Sequence, residues 1–234
     1  MRHLISASFV AVACALVQPA AAQNEDRGVP IISASYHLPV FRNEYVTLLN
    51  VFVPPGKTTG YHIHTGDSVS VTVEPADMTN QPLGAPAPGP PQRGEAGRAT
   101  FVAYTKEGPR THKATNVGTT PFHTLSFIFN SAQPYRFTPL ARNGPGYTQI
   151  MDNERARGWR LVLDPGQAAP AITQSAPGIR IVVAGGELAE NVPGHPDRAM
   201  NPKTGEFFWQ DAGVTRAVRN TGRTRLELLE FELK

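Results

Sequence analysis

Asn50-Val-Phe-Val-Pro-Pro-Gly56, then Lys-Thr-Thr-Gly-Tyr61-His62-Ile-His64, then Thr-Gly-Asp67-Ser68-Val69-Ser-Val-Thr-Val73 is the stretch from which the rest of the chain can be read. A β-branched run enters a Pro-Gly turn, a His-x-His follows, and an alternating run closes the segment, which is the pattern of short strands joined by tight turns. The pattern recurs. Arg160-Leu-Val-Leu-Asp-Pro-Gly166 repeats the strand and turn, Ile172-Thr-Gln174 stands where His62-Ile-His64 stood, and Ile179-Arg-Ile-Val-Val183 repeats the alternating run. Further on, His112-Lys-Ala-Thr-Asn116-Val-Gly118 matches Arg216-Ala-Val-Arg-Asn220-Thr-Gly222, and each leads into a closing strand, ending at Phe129 and at Leu233. Two offsets relate the copies, 110 residues from Gly56 to Gly166 and 104 from Asn116 to Asn220. A repeat this long is a whole barrel rather than a solenoid unit.

The 234 residues carry 21 Gly and 22 Pro, and no window has the 3.6-residue periodicity of a long amphipathic helix. The expected fold is therefore all-β, with two antiparallel β-barrels: an N-terminal barrel over 23–142, a linker over 143–158 that includes a turn or two of helix from 150, and a C-terminal barrel over 159–234. Pro75 to Arg98, which contains Pro-Leu-Gly-Ala-Pro-Ala-Pro-Gly-Pro-Pro, is expected to be a long loop at the barrel mouth with neither strand nor helix.

Residues 1–22 are expected to be a signal peptide. Arg2 and His3 give a positive start, Leu4 to Val17 is apolar but too short to span a bilayer, and Pro19-Ala-Ala-Ala22-Gln23 offers small residues for cleavage after Ala22. The expected location is the periplasm or the outside of the cell. A lipoprotein signal ending at Cys14 fits less well, because Ala11-Val12-Ala13 lacks the usual Leu. Cys14 is the one cysteine, so the mature chain has no thiol for a disulfide, a nucleophile or a metal site. The net charge of +3, with scattered Lys and Arg, argues against a nucleic-acid partner.

The motifs resemble those of the cupin superfamily, and the repeat resembles a bicupin. Gly56, His62 and His64 fit the spacing of the first cupin motif, and His112 with Asn116 fits the end of the second, where Gly108-Pro109 replaces the usual Pro-x-Gly. The resemblance covers roughly 40–130 and 155–234 and implies jelly-roll barrels with a metal at the centre of the first. The motif's Glu falls at Ser68. If 62–72 were one continuous strand, Asp67 would have the wrong parity to replace it.

His-x-His on a strand sends two imidazoles to one side about 7 Å apart, and a third from a neighbouring strand completes one face of a coordination sphere. The expected ligands are His62, His64 and His112, and the expected cofactor is a divalent transition metal, Fe, Mn, Zn, Ni or Cu. Without the carboxylate, the site favours an anionic small molecule as an added ligand. His123 is a fourth ligand or an acid–base group if its set, with Leu125, Phe127 and Phe129, faces the barrel interior, and a packed histidine otherwise. Tyr61 beside the His pair, or Tyr104 before His112, could supply a phenol. His37 is a weaker candidate, His195 lies in a Pro-Gly-His-Pro turn, and Asn116 and Asn220 fit a turn role in both copies.

In the second copy, Ile172, Gln174 and Arg216 cannot hold a metal, and that half reads as a structural partner. Arg180 and Arg216, if buried, require a carboxylate or phosphate. The function expected is a metal-dependent, dioxygenase-like oxidoreductase acting on a small organic substrate. The alternatives are a non-catalytic ligand-binding barrel and a structural protein. Val69, Val71 and Val73 would then pack on another sheet, within the chain or in a homo-oligomer.

Overall fold

Alternation decides where each strand's side chains go, and the burial of the strands follows it. In the computed structural model, which describes residues 27–234, the first half contains β1 (Val29–Pro30), β2 (His37–Arg42), β3 (Val46–Val53), β4 (His62–His64), β5 (Ser68–Glu74), β6 (Asp77–Pro82), β7 (Gln92–Arg93), β8 (Ala99–Val102), β9 (Arg110–Asn116) and β10 (Phe122–Phe129), with one four-residue helix, α1 (Tyr104–Glu107). The second half contains β11 (Tyr147–Asp152), β12 (Ala156–Leu163), β13 (Ile172–Thr173), β14 (Gly178–Ala184), β15 (Leu188–Asn191), β16 (Arg198–Met200), β17 (Phe207–Gln210), β18 (Thr215–Asn220) and β19 (Leu226–Leu233). The expected signal peptide and Cys14 lie outside the described residues. Among the described residues, no helix is long and apolar enough to cross a membrane.

Each half is a two-sheet barrel. The sheet β2-β3-β10-β5-β8 has its counterpart in β11-β12-β19-β14-β17, and β4-β9-β6-β7 has its counterpart in β13-β18-β15-β16; β1 adds to the first of these small sheets in parallel with β4. The expected all-β architecture of two antiparallel barrels is the observed one. Inside barrel 1, Leu49, Val51 and Val53 of β3 pack with Met78 and Ala76, flanked by Ala114, Phe122 and Ile128. Inside barrel 2, Leu161 and Leu163 pack with Val182, Leu188, Val218, Leu226 and Leu228.

The opposite faces of the large sheets meet each other. Val69, Val71, Val73, Leu125, Phe127 and Phe129 of barrel 1 form one buried cluster with Ile179, Ile181, Leu229, Phe231 and Leu233 of barrel 2, and the Phe127 and Phe231 rings meet edge to face at 5.3 Å. The three valines thus pack within one chain, each buried apolar side chain contributing about 1.5–3 kcal/mol.

Matched turns confirm the repeat in atomic detail. Asn116 Nδ2 donates to Val53 O and Thr120 O while its Oδ1 accepts from Gly118 N; Asn220 Nδ2 donates to Leu163 O and Thr224 O while its Oδ1 accepts from Gly222 N. A buried carboxamide that satisfies three backbone groups fixes the turn before each closing strand.

Three boundaries differ from the sequence reading. The stretch 143–158 is not a linker with helical turns but carries β11 and the start of β12, because Tyr147 to Asp152 finds a backbone partner in β12. Arg142, placed at the end of barrel 1, plants its side chain in barrel 2. Within 75–98, Asp77–Pro82 is a strand paired with β9, and only the proline-rich part after Pro82 remains loop up to β7.

Candidate metal centre

β4 pairs with β9 so that His62 lies directly opposite His112, and His64 follows two residues on along the same face. The three ring centroids are 4.5–5.0 Å apart, and one nitrogen from each ring can be chosen so that all lie within 4.8 Å of one another. His64 Nε2 and His112 Nε2 face each other at 2.9 Å, a distance that needs a proton or a cation between them.

The other nitrogens are held by protein oxygens. His62 Nδ1 donates to Gly60 O (3.1 Å) and His112 Nδ1 donates to Asn80 Oδ1 (2.6 Å). Each bond fixes the tautomer and leaves the Nε2 lone pair free. His64 stacks on the Tyr104 ring at 4.9 Å, which sets its plane. Burial is the main cause that pushes all three imidazoles down, His62 and His64 to about 3 and His112 to about 4, with the neighbouring imidazoles adding to it. At neutral pH the three rings are therefore uncharged and have lone pairs to give.

No acidic group joins them among the described residues. The strand assumed to run unbroken from 62 to 72 is interrupted at Thr65–Asp67, and β4 and β5 belong to different sheets. Asp67 is buried elsewhere. Its carboxylate accepts from Thr105 N and Oγ1 at 2.8 and 2.7 Å and pairs with Arg155 Nη1 of barrel 2 at 3.1 Å. Arg155 also donates to Ser131 O (2.7 Å) and lies over the Phe129 ring, so a buried ion pair ties the turn after His64 to the second barrel.

A cleft of about 800 Å³ opens against this end of barrel 1. It reaches His64 and is walled by Ile31, Pro39, Val40, Ile63 and Ile128, with Thr47 and Asn130 at its polar side.

No protein-family model matches the sequence, and no curated protein is significantly similar to it. Solved structures are. A W104Y variant of the salicylate 1,2-dioxygenase from Pseudoaminobacter salicylatoxidans, crystallised in complex with gentisate, matches 92% of this chain over 76% of its own, at 13% identity and a TM-score of 0.57. YhaK from Escherichia coli matches 87% of this chain over 94% of its own, at 14% identity and a TM-score of 0.55. AerE from Microcystis aeruginosa matches 86% over 98%, at 10% identity and a TM-score of 0.50. The chain has the bicupin fold. At these identities, the likeness concerns the fold alone.

Several candidate residues of the chain fall outside the histidine cluster. His123 was expected in the cavity if its strand set faced inward. That set faces the other barrel instead, and His123 Nε2 donates to Asn50 Oδ1 (2.8 Å) beside Phe52. Gly205 of barrel 2, at φ +85°, approaches so closely that a Cβ there would lie 2.4 Å from His123 Cε1. Tyr61 has the opposite parity to His62, and its ring lies under Lys113 Nζ at 4.8 Å; the phenol at the cluster is Tyr104, on α1 rather than on a strand. His195 is exposed in its turn.

Two further residues reach the cluster. His37 pairs with Val51 across β2–β3, faces the interior and packs on His62 at 4.7 Å, with its Nδ1 donating to Ser35 O (2.9 Å). Asn80 lies on β6, a strand hidden in the sequence by the prolines that follow it; the alternation Met78-Thr-Asn80 was its only signal.

In barrel 2, Gln174 and Arg216 are taken up by a charge network. Arg142 pairs with Glu230 and Glu232 and donates to Gln174 Oε1, while Arg180 bridges Glu230 (2.8 Å) and Glu190 (3.2 Å), and Arg216 lies 3.6 Å from Glu190. The carboxylates required by buried Arg180 are thus supplied by the chain itself, whereas Arg216 is only half-buried, with its Nε near Glu190 but in no hydrogen bond among the described residues. Burial pushes the Glu230 carboxyl up, but the Arg180 and Arg142 charges outweigh it and hold it below its usual range.

Proposed function

We propose that this bicupin is an exported metalloprotein that holds a divalent transition ion on His62, His64 and His112 and performs a dioxygenase-like oxidation of a small organic substrate. The observation that carries this reading is the donor set: one buried and two half-buried neutral imidazoles converging from paired strands, two of them with Nδ1 tied to an oxygen and Nε2 directed at the cluster. A redox-active ion on such a face supplies Lewis-acid and dioxygen chemistry, with coordination positions left for substrate.

The chain's own residues do the rest. Gly60 O and Asn80 Oδ1 hold the Nδ1 protons of His62 and His112, Tyr104 fixes the plane of His64, and burial keeps all three rings neutral. The cleft at His64, of about 800 Å³ and walled largely by apolar side chains, is large enough for a small organic molecule. The dioxygenase of similar fold, crystallised with gentisate, supports a small-molecule ligand.

The test is metal analysis of untagged protein, starting at residue 23 and purified from its own compartment, beside His62→Ala/His112→Ala. About one ion per chain in the wild type and none in the variant is the expected result; oxygen uptake is then measured with small organic acids and phenols. A wild type that neither contains nor takes up metal overturns the reading. Metal without oxygen uptake leaves a ligand-binding barrel. Export is tested by N-terminal sequencing, with Gln23 as the expected first residue.

A further inference from the structure

The strand that carries His37 contains a device the site above does not use. Along β2, His37 pairs with Val51 and Pro39 with Leu49, so odd-numbered residues face the interior of barrel 1. A bulge between Pro39 and Phe41 then reverses the parity. Phe41 turns outward, opposite Leu48, and stacks on Trp209 of barrel 2 at 5.6 Å. Arg42 turns inward, opposite Thr47, at the cleft mouth. Without the extra residue, Arg42 would lie on the face packed against the other barrel.

Among the described residues, the charge so placed has no partner: Arg42 is exposed and makes no ion pair or side-chain hydrogen bond with any of them. Thr47 Oγ1 is occupied by Asn130 Oδ1 (2.8 Å), and Asn130 Nδ2 by Asn43 O (2.7 Å). Among the described residues lining the cleft, Arg42 is the one Arg or Lys, and none is acidic. The rest of the wall is largely apolar: Ile31, Ile32, Val40, Ile63 and Ile128. At the other end of the cleft, the proposed ion would sit on three neutral imidazoles with no carboxylate to offset its charge.

We infer that this cleft takes a small organic acid, its apolar body against Ile31, Val40 and Ile128 and its carboxylate on Arg42, which makes Arg42 the residue that selects substrate charge. A guanidinium offers a carboxylate two parallel N–H donors, and because Arg42 is exposed, solvent screening keeps the resulting preference to about fivefold. This assignment deepens the proposed metal-site reading but does not need the ion for its Arg42 contact, so the two can fail separately.

The experiment measures binding of three probes of equal length, hexanoate, hexanamide and hexylammonium, by calorimetry or ligand-observed NMR. The proteins are wild type, Arg42→Gln, and Lys57→Gln, which removes one positive charge from an exposed turn residue away from the cleft lining. Each is studied metal-loaded and after chelation. Hexanoate should bind the chelated wild type about fivefold more tightly than hexanamide. Arg42→Gln should reduce that preference to about one, and Lys57→Gln should keep it. Arg42 is exposed and in no side-chain hydrogen bond or ion pair among the described residues, so the fold should be unchanged, and circular dichroism checks this.

Equal binding of hexanoate and hexanamide, an unchanged preference in Arg42→Gln, or no binding of any probe up to about 10 mM overturns the assignment. If the preference survives in His62→Ala/His112→Ala while neither wild type nor variant holds metal, the Arg42 assignment stands and the metal reading falls. If metal is held but the preference is absent, the reverse is true.

Discussion

The two barrels share a backbone plan and use its inward positions in opposite ways. Ser70 and Ser126 face each other in barrel 1 with their Oγ atoms 2.7 Å apart; the matched residues in barrel 2 are Arg180 and Glu230, an ion pair at 2.8 Å. Asn80 holds His112 in barrel 1; the matched residues are Glu190 and Arg216. His64 corresponds to Gln174, whose carboxamide oxygen receives Arg142. A few inward positions thus decide whether a barrel gathers small groups around a histidine cluster or fills itself with long, mutually satisfied charges. The physical difference lies in volume and in desolvation. Two hydroxyls leave space and cost little to bury, whereas an Arg–Glu pair occupies the space and is tolerable only when every charge is met.

The largest effect that would sharpen this comparison is expected in barrel 2. Glu230→Ala leaves Arg142 and Arg180 short of a partner and should cost about 3–5 kcal/mol in urea unfolding. The matched Ser126→Ala should cost no more than about 1 kcal/mol. Equal costs would break the idea that one barrel is plugged and the other is not.

Acid should separate the barrels next. The three imidazoles stay neutral in the folded chain down to about pH 3–4, while unfolded histidines take up protons near 6.5. The unfolded state therefore binds more protons, and the chelated protein should lose stability as pH falls from about 6.5 towards 4. Glu230, depressed in the folded state, contributes stability that is present above the ordinary carboxyl range and lost only at lower pH. Replacing all three histidines by Gln should remove most of the first loss, with a remainder from His37 and His123, which burial also pushes down, and keep the second; unfolding midpoints against pH would show it.

Asn80→Ala should weaken metal binding by about 10–100-fold without unfolding the chain, because it frees the His112 tautomer. Competition with a chromophoric chelator measures this. An unchanged affinity would mean that Asn80 is only a neighbour. The smallest contrast is between Asn116→Ala and Asn220→Ala. Each removes the same three turn hydrogen bonds, so each should cost about 1–3 kcal/mol, with the two values close to each other. A large inequality would show that one turn is held by more than its Asn.

Much of this was legible in the chain. The paired Pro-Gly turns, the Asn-x-Gly turns and the alternating runs recur at fixed offsets, and local backbone chemistry is all they need. His62, His64 and His112 were legible for the same reason: two lie on one strand, and the third lies in a recurring segment. What was missed depends on partners distant in sequence. Whether His123 faced the interior or was a packed histidine stayed open, because alternation gives two faces but does not say which is inside. β6 and β11 were read as loop and linker because their order comes from pairing with β9 and β12 rather than from their own composition.

The sequence by itself determined that this is a duplicated all-β chain with a histidine cluster in one copy and none in the other, since turns and strand periodicity are local properties. Only the tertiary structure decided which faces meet. It turned the valine and phenylalanine faces into the contact between barrels, drew Asp67 away to Arg155, and brought Asn80 and His37 to the cluster. It also used a single bulge to aim Arg42 into the cleft. Those outcomes rest on packing and register between segments far apart in the chain, which no local pattern encodes.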